Sequence, residues 1–308
     1  MRNPFLHSKL VQRPSLSTYL KFGPNFIAPF YHAVSDEPLP HIRHLYKVKT
    51  VSEFEEDLDF MLRYYEPISV DELITDEKGA VFYEDGRPLI HPSRPKMLLS
   101  FDDGLRSFYE VVAPILQKKG VPCICFINSG FVDNKALFYR YQESLNIEYK
   151  GGVDVCSFLK EEQPYLTTPQ IESLIKEGFC FGGHSINHPL YTTLSLEAQL
   201  EQTLDSCRAV SQIAGSVLSS SYPCYFSFPF TDTGVSLQFF QQISSTVSLS
   251  FGTAGLKLDL TPRHIQRIPM ELGRPMDEKN PSVAEILKGE YAYYIAKKFL
   301  FKNTINRK

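Results

Sequence analysis

The chain has 308 residues, 43% of them hydrophobic and 22% charged, with a net charge of −3 at pH 7. Those values describe an ordinary globular protein with a large core. They exclude a disordered chain and any bulk attraction to nucleic acid. The sequence has no apolar run of about 18 residues, so no transmembrane helix is predicted. Lys9, Arg13 and Lys21 interrupt the apolar pieces of the N-terminal region, which lacks the apolar core of a secretory leader. Cys123, Cys125, Cys156, Cys180, Cys207 and Cys224 are spread out without a Cys-x-x-Cys pair. Buried free thiols in a reducing compartment are predicted rather than a disulfide framework. A cytoplasmic location follows as an expectation.

Residues 1–22 carry Arg2, Lys9, Arg13 and Lys21 and no acid. They read as a solvated or loosely docked arm, with attraction to an anionic membrane surface as the alternative. The first core strand is predicted over residues 25–32, ending in Tyr31-His32. A capping box, Thr50-Val51-Ser52-Glu53, opens a helix over 51–64, in which Phe54, Leu58, Met61 and Leu62 recur at helical spacing. Residues 76–95 read as an insertion. In it Val81-Phe82-Tyr83 and Pro88-Leu89-Ile90 flank Glu84-Asp85-Gly86-Arg87 as a β-hairpin.

Met97 to Phe101 is a buried strand, too short and too uniformly apolar for a surface helix. It runs into Asp102-Asp103-Gly104. Adjacent carboxylates repel, and burying them is costly unless a cation or proton is shared. A metal ligand beside an acid/base group is one reading. A strand-to-helix turn with Asp as N-cap is the other. Phe108, Val112, Ile115 and Leu116 then form a helical stripe ending at Gly120, and Pro122 to Ile127 is the next strand.

Phe138-Tyr139-Arg140-Tyr141 is read either as the lining of a sugar site or as helix packing. After a helix over 169–178, a second apolar strand runs into Gly182-Gly183-His184-Ser185-Ile186-Asn187-His188. On a helical turn, histidines four apart share one face and one metal ion. Two His and one Asp make a nitrogen/oxygen site with open positions, the layout of catalytic zinc. A helix from Ser195 to about Ile213 precedes the strand Tyr222 to Ser227 and its exit Phe228-Pro229-Phe230. Taken alone, that segment is a buried strand ending in a loop. The last strand is predicted over His264 to Pro269. The tail from Ala284 reads as an amphipathic helix carrying Lys288, Lys297, Lys298, Lys302, Arg307 and Lys308. Docking on the body is expected of it, with membrane contact as the alternative. Alternating strands and helices indicate α/β with a largely parallel sheet.

Ser-Phe-Asp-Asp-Gly at 100–104 and His-Ser-Ile-Asn-His at 184–188 resemble the first two motifs of the polysaccharide deacetylases. This is the nodulation-type chitooligosaccharide deacetylase homology domain, carbohydrate esterase family four. The likeness covers roughly residues 24 to 270. It implies a distorted (β/α) barrel of about seven strands in a single domain. The expected division is a basic arm over 1–22, the barrel over 23–275 and a basic helix over 276–308. It also implies a hydrolase that removes N-acetyl groups from an amino sugar, glycan or polysaccharide precursor.

By the same resemblance, Asp103, His184 and His188 would hold a divalent metal, Zn2+ first and Co2+, Ni2+ or Mn2+ as alternatives. Asp102 would be the general base. Phe228, Pro229, Phe230 and Tyr31 would contact the sugar. Ser227 stands where many members carry an Arg that braces the catalytic Asp, and Arg267 is the candidate replacement. The chain has no Trp and no Leu-x-His motif near its end. The biofilm poly-N-acetylglucosamine deacetylases look similar at Tyr31-His32, which assigns the general acid to His32, with His264 as the fallback. Two other functions stay open: a degenerate carbohydrate-binding module of the same fold, and an O-deacetylase or amidase acting on a small molecule. Partners expected are the N-acetylated substrate, no nucleic acid, and peripheral membrane contact through the basic termini.

Overall fold

The computed structural model describes residues 3–75, 81–83, 94–259, 261–275, 277, 279–300, 304–305 and 307. Its centre is a parallel sheet of β1 (Pro29–Tyr31), β2 (Leu99–Phe101), β3 (Cys123–Ile127), β4 (Cys180–Gly183), β5 (Cys224–Ser227) and β6 (Val247–Gly252). A seventh pass, β7, runs as His264–Gln266 and Ile268–Pro269 on either side of Arg267. The first half of β7 pairs with β6 and the second half with β1, which closes the sheet into a barrel. The eight hydrogen-bonded segments are therefore seven strands. The expected distorted (β/α) barrel is found, with its strands buried on both faces as parallel sheets require.

Helix α1 (Val51–Tyr64) starts on the predicted capping box. Thr50 Oγ1 accepts from Glu53 N at 3.2 Å, and Thr50 N donates to Glu53 at 2.9 Å. Phe54, Leu58 and Met61 face the core. Further along the chain come α2 (Ala113–Lys119), α3 (Tyr139–Glu148), α4 (Val155–Glu162), α5 (Thr168–Lys176), α6 (Leu196–Gly215), α7 (Leu237–Ile243) and α8 (Val283–Leu300). The N-terminal residues pack on α8. The side chain of Gln12 donates to Glu285 O at 3.1 Å, and Lys288 donates back to Gln12 O at 3.0 Å. Among the described residues, no helix is long and apolar enough to cross a membrane.

One expectation changes. Cys207 and Cys224 form a disulfide between α6 and β5, so these two are not free thiols, whereas Cys123, Cys125, Cys156 and Cys180 are. The spacing of 17 residues reads as nothing in sequence. The close approach of α6 to the barrel produces it, because a Cβ on Gly183 would lie 2.5 Å from Ser206 Oγ and 3.1 Å from Cys207 N. In the insertion, Val81–Tyr83 pairs antiparallel with Leu73–Thr75. The expected partner, Pro88 to Ile90, lies outside the described residues.

Candidate active site

Several of the cavity residues follow the C-terminal ends of barrel strands, the face where barrel enzymes carry their chemistry. His32 follows β1, Asp102 and Asp103 follow β2, His184 follows β4, Phe228 and Phe230 follow β5, and Thr253 follows β6. Together with Leu45, Tyr46, Phe138, Arg140, Tyr141 and His188 they line one cavity of about 210 Å³.

Asp103, His184 and His188 come together in it. Asp103 Oδ1 lies 3.5 Å from His184 Nε2 and 3.3 Å from His188 Nε2, and the three residues are 6%, 1% and 6% exposed. Left-handed backbone at Asp103 (φ 71°), Ser185 (φ 70°) and His188 (φ 58°) makes this possible. The two imidazoles therefore meet through a sharply turned loop rather than on the helical turn their spacing suggests. Such conformations cost of order 1 kcal/mol each and persist where the surroundings over-determine them. Gly104 (φ 62°) completes the turn, and a Cβ there would meet Ile127 Cγ2 at 2.8 Å.

The group fits a divalent cation. Asp103 Oδ1 is buried with no hydrogen-bond partner, an arrangement that costs stability unless a cation completes it. Its other oxygen accepts from the Tyr141 hydroxyl at 2.7 Å. His184 Nδ1 donates to Ser227 O at 2.8 Å, which leaves the Nε2 lone pair turned toward Asp103. Burial, opposed by the neighbouring aspartates, holds His184 down at about 4, so it is the neutral imidazole a metal requires. Burial would raise the Asp103 carboxyl, but His188, His32 and His184 outweigh it and keep the group ionised.

Asp102 is 2% exposed and faces Arg267, which is fully buried. Arg267 Nη1 donates to Asp102 Oδ1 at 2.8 Å and Nη2 to Oδ2 at 2.7 Å. Its remaining donors reach Ser100 Oγ at 3.0 Å, Ser227 Oγ at 2.5 Å and Gly252 O at 3.3 Å. All five guanidinium N–H groups are thus satisfied. The small Ser227 leaves room for this side chain, which also lies 4.3 Å from the Phe30 ring centre. Burial raises the Asp102 carboxyl, Arg267 more than offsets that, and the group stays ionised.

His32 lines the same cavity. Its Nδ1 lies 2.6 Å from Glu271 Oε2, and the same carboxylate accepts from His32 N at 2.7 Å and Ala33 N at 3.1 Å. Burial alone would lower the imidazole, but Glu271 outweighs it and raises His32 to about 9. Sequence reasoning passed over Glu271. The signal was a carboxylate two residues past the last strand, beside a strand-end histidine.

The other sequence candidates divide. Phe230 lies 4.6 Å from His188 by ring centres, and Phe138 lies 4.4 Å from it on another side. Phe228 lines the cavity as well, whereas Pro229 is buried outside the lining. Tyr31 points away from the cavity. It stacks on Phe101 at 5.5 Å and donates to Asp57 at 3.0 Å, between the barrel and α1, because adjacent strand residues face opposite sides. His264 is also outside: its Nδ1 meets Ser250 Oγ at 2.7 Å and its Nε2 lies 3.2 Å from Asp232.

Residues 90–236, which contain both motifs, match the family model described as polysaccharide deacetylase. A comparison with curated proteins finds no match. Among solved structures, the Streptococcus pyogenes deacetylase PplD in complex with acetate is similar at 17% identity with a TM-score of 0.57, covering 86% of this chain and 97% of that one. IcaB from Ammonifex degensii is similar at 16% and 0.56, covering 86% and 98%. The BpsB deacetylase domain from Bordetella bronchiseptica is similar at 15% and 0.52, covering 79% and 95%. At these identities the likeness is one of fold. Both motifs lie inside the segment that matches the polysaccharide deacetylase model, and both converge on one cavity.

Proposed function

We propose that this protein is a metal-dependent hydrolase that removes N-acetyl groups from an amino sugar or a polysaccharide precursor. The observation that carries the reading is the meeting of Asp103, His184 and His188 with Asp102 and His32 in a single cavity. A divalent cation, with zinc the first candidate, would be held by Asp103, His184 and His188 and would supply polarisation of the acetyl carbonyl and a lowered pKa for water. Asp102, ionised and held in one orientation by Arg267, takes the proton of the attacking water. Its depressed pKa makes it a weak base, which suffices for an acidified water.

The leaving amine needs a proton. His32 supplies it from Nε2, because Nδ1 is committed to Glu271. An imidazolium raised to about 9 keeps that proton at neutral pH. A partner that stays protonated at neutral pH favours an amide over an ester substrate, since the amine is the poorer leaving group. The cavity is small beside the several hundred Å³ that enclose drug-sized ligands. One sugar ring with its acetamido group suits it, against the Phe138 and Phe230 walls. A binding module has no use for Asp102, Asp103, His184 and His188 together, which disfavours that alternative.

The test is acetate release from N-acetylglucosamine oligomers and from nucleotide- and lipid-linked N-acetylhexosamines. Chelation should abolish release and added Zn2+, Co2+, Ni2+ or Mn2+ should restore it. Release from none of these substrates by metal-loaded protein would sink the reading. Activity should fall as pH rises through about 9, where His32 loses its proton. In Glu271→Gln the downward pull of burial is opposed only by the weaker upward pull of Asp103 and Asp102, so the alkaline limb of the kcat profile should move down toward the ordinary imidazole range. An unmoved limb would remove His32 from the acid role. The stability carried by this pair has the same sign: full below 6.5, it is lost as pH rises through about 9.

A further inference from the structure

Asp232, Asp259 and His264 form another cluster of metal-type ligands, outside the cavity just described. It already holds a cation, the guanidinium of Arg307. Arg307 Nη2 donates to Asp259 Oδ2 at 2.7 Å and also to Asp232 Oδ2; Nη1 donates to Asp232 O at 2.8 Å and Nε to Thr261 Oγ1 at 3.0 Å. The guanidinium carbon lies 4.3 Å from the Phe240 ring centre. Gln266 Nε2 adds bonds to Asp232 at 2.7 Å and Asp259 at 2.9 Å. The Arg307 side chain is 3% exposed and both carboxylates 1%. Two carboxylates buried this deeply require a fixed positive charge.

The cluster continues into the catalytic wall. Asp232 Oδ1 accepts from Thr253 N at 3.1 Å, and Thr253 Oγ1 donates to Phe230 O at 3.0 Å. Thr253 and Phe230 both line the catalytic cavity. Phe230 holds a left-handed backbone (φ 57°) while its ring packs on His188. A bulky residue in that conformation needs its neighbours to hold it there.

We propose that Arg307 is a positioning residue for the active site. By neutralising and orienting Asp232, it sets Thr253 and the Phe230 wall against which the sugar binds. Arg307 is then part of the active-site architecture. The kinetic part of this inference rests on the deacetylase reading; the structural part does not.

The experiment compares wild type with Arg307→Met, Arg307→Lys and Arg307→Ala. It reads kcat and KM for the best N-acetylated substrate, metal content, and amide hydrogen exchange over residues 228–235 and 252–254. Arg307→Met should raise KM by ~10-fold with a smaller change in kcat, the pattern of lost substrate positioning. It should keep its metal and exchange faster in both segments. Arg307→Lys should fall between the two, and guanidinium ion added to Arg307→Ala should restore slow exchange and lower KM. A folded Arg307→Met with unchanged KM and unchanged exchange overturns the proposal. So does a lowered melting temperature with KM unchanged, which would mark a structural role alone. If wild type deacetylates nothing, the deacetylase reading fails separately, and the exchange measurement still decides whether Arg307 holds the wall.

Discussion

Arg267→Met should destabilise the fold by roughly 3–5 kcal/mol, the range for breaking a buried ion pair by removing one partner. The loss has two sources. Asp102 keeps a buried carboxylate with no compensating charge, and Ser100 and Ser227 lose a common donor. Burial is already the largest single influence on Asp102, and with the guanidinium gone its main opponent is lost, which drives the carboxyl upward. The sign of the pH dependence then changes. In wild type the depressed carboxyl contributes stability above its unfolded value, and that contribution is lost as pH falls through the folded one. In the variant Asp102 is most easily buried when protonated, so stability should improve on acidification. Acetate release should fall sharply at neutral pH, and its acid limb should move up. Arg267→Lys should recover little, because an ammonium cannot grip both oxygens in a fork. Urea unfolding at several pH values together with a rate profile checks this. An Arg267→Met protein as stable as wild type would show that Asp102 is not buried charged.

His184→Ala should remove the metal and the activity together. Its Nε2 faces Asp103 Oδ1, and its ring is aimed by a bond to Ser227 O. Loss of one ligand of three leaves too few to retain the ion, and acetate release should drop by ~10³-fold or more. The stability readout is independent of turnover. Free metal at about 100 times its Kd should stabilise wild type by about 2.7 kcal/mol and leave the variant unmoved. Equal thermal shifts in both proteins would place the ion somewhere other than Asp103, His184 and His188.

Much of this was legible in the sequence because strand periodicity and strand-end chemistry are local. Met97 to Phe101 running into two aspartates, and Phe179 to Gly183 running into two histidines, each announce a strand and its exit within ten residues. The capping box at Thr50 likewise names its own helix. What the sequence hid depends on distance. Arg267 could be named as the candidate brace, but its forked bond to Asp102 from mid-strand depends on barrel closure. Glu271 becomes a partner of His32 because β7 lies beside β1. Tyr31 was misplaced by its neighbour: His32 faces the cavity, so the alternation of strand side chains sends Tyr31 outward to Asp57. The Cys207–Cys224 disulfide required knowing that α6 lies flush on Gly183. The Arg307 cage draws on residues spread from 232 to 307 and has no motif at all.

The most direct test measures metal content and acetate release together, in wild type, Asp102→Asn and His32→Ala, on N-acetylhexosamine oligomers and on nucleotide-linked sugars. Stoichiometric metal in all three, with acetate released by wild type and almost none by either variant, is the predicted result. It would separate the residues that hold the ion from those that move protons. Wild type that binds no divalent metal even after reconstitution, or a His32→Ala protein that turns over at the wild-type rate, would contradict the mechanism.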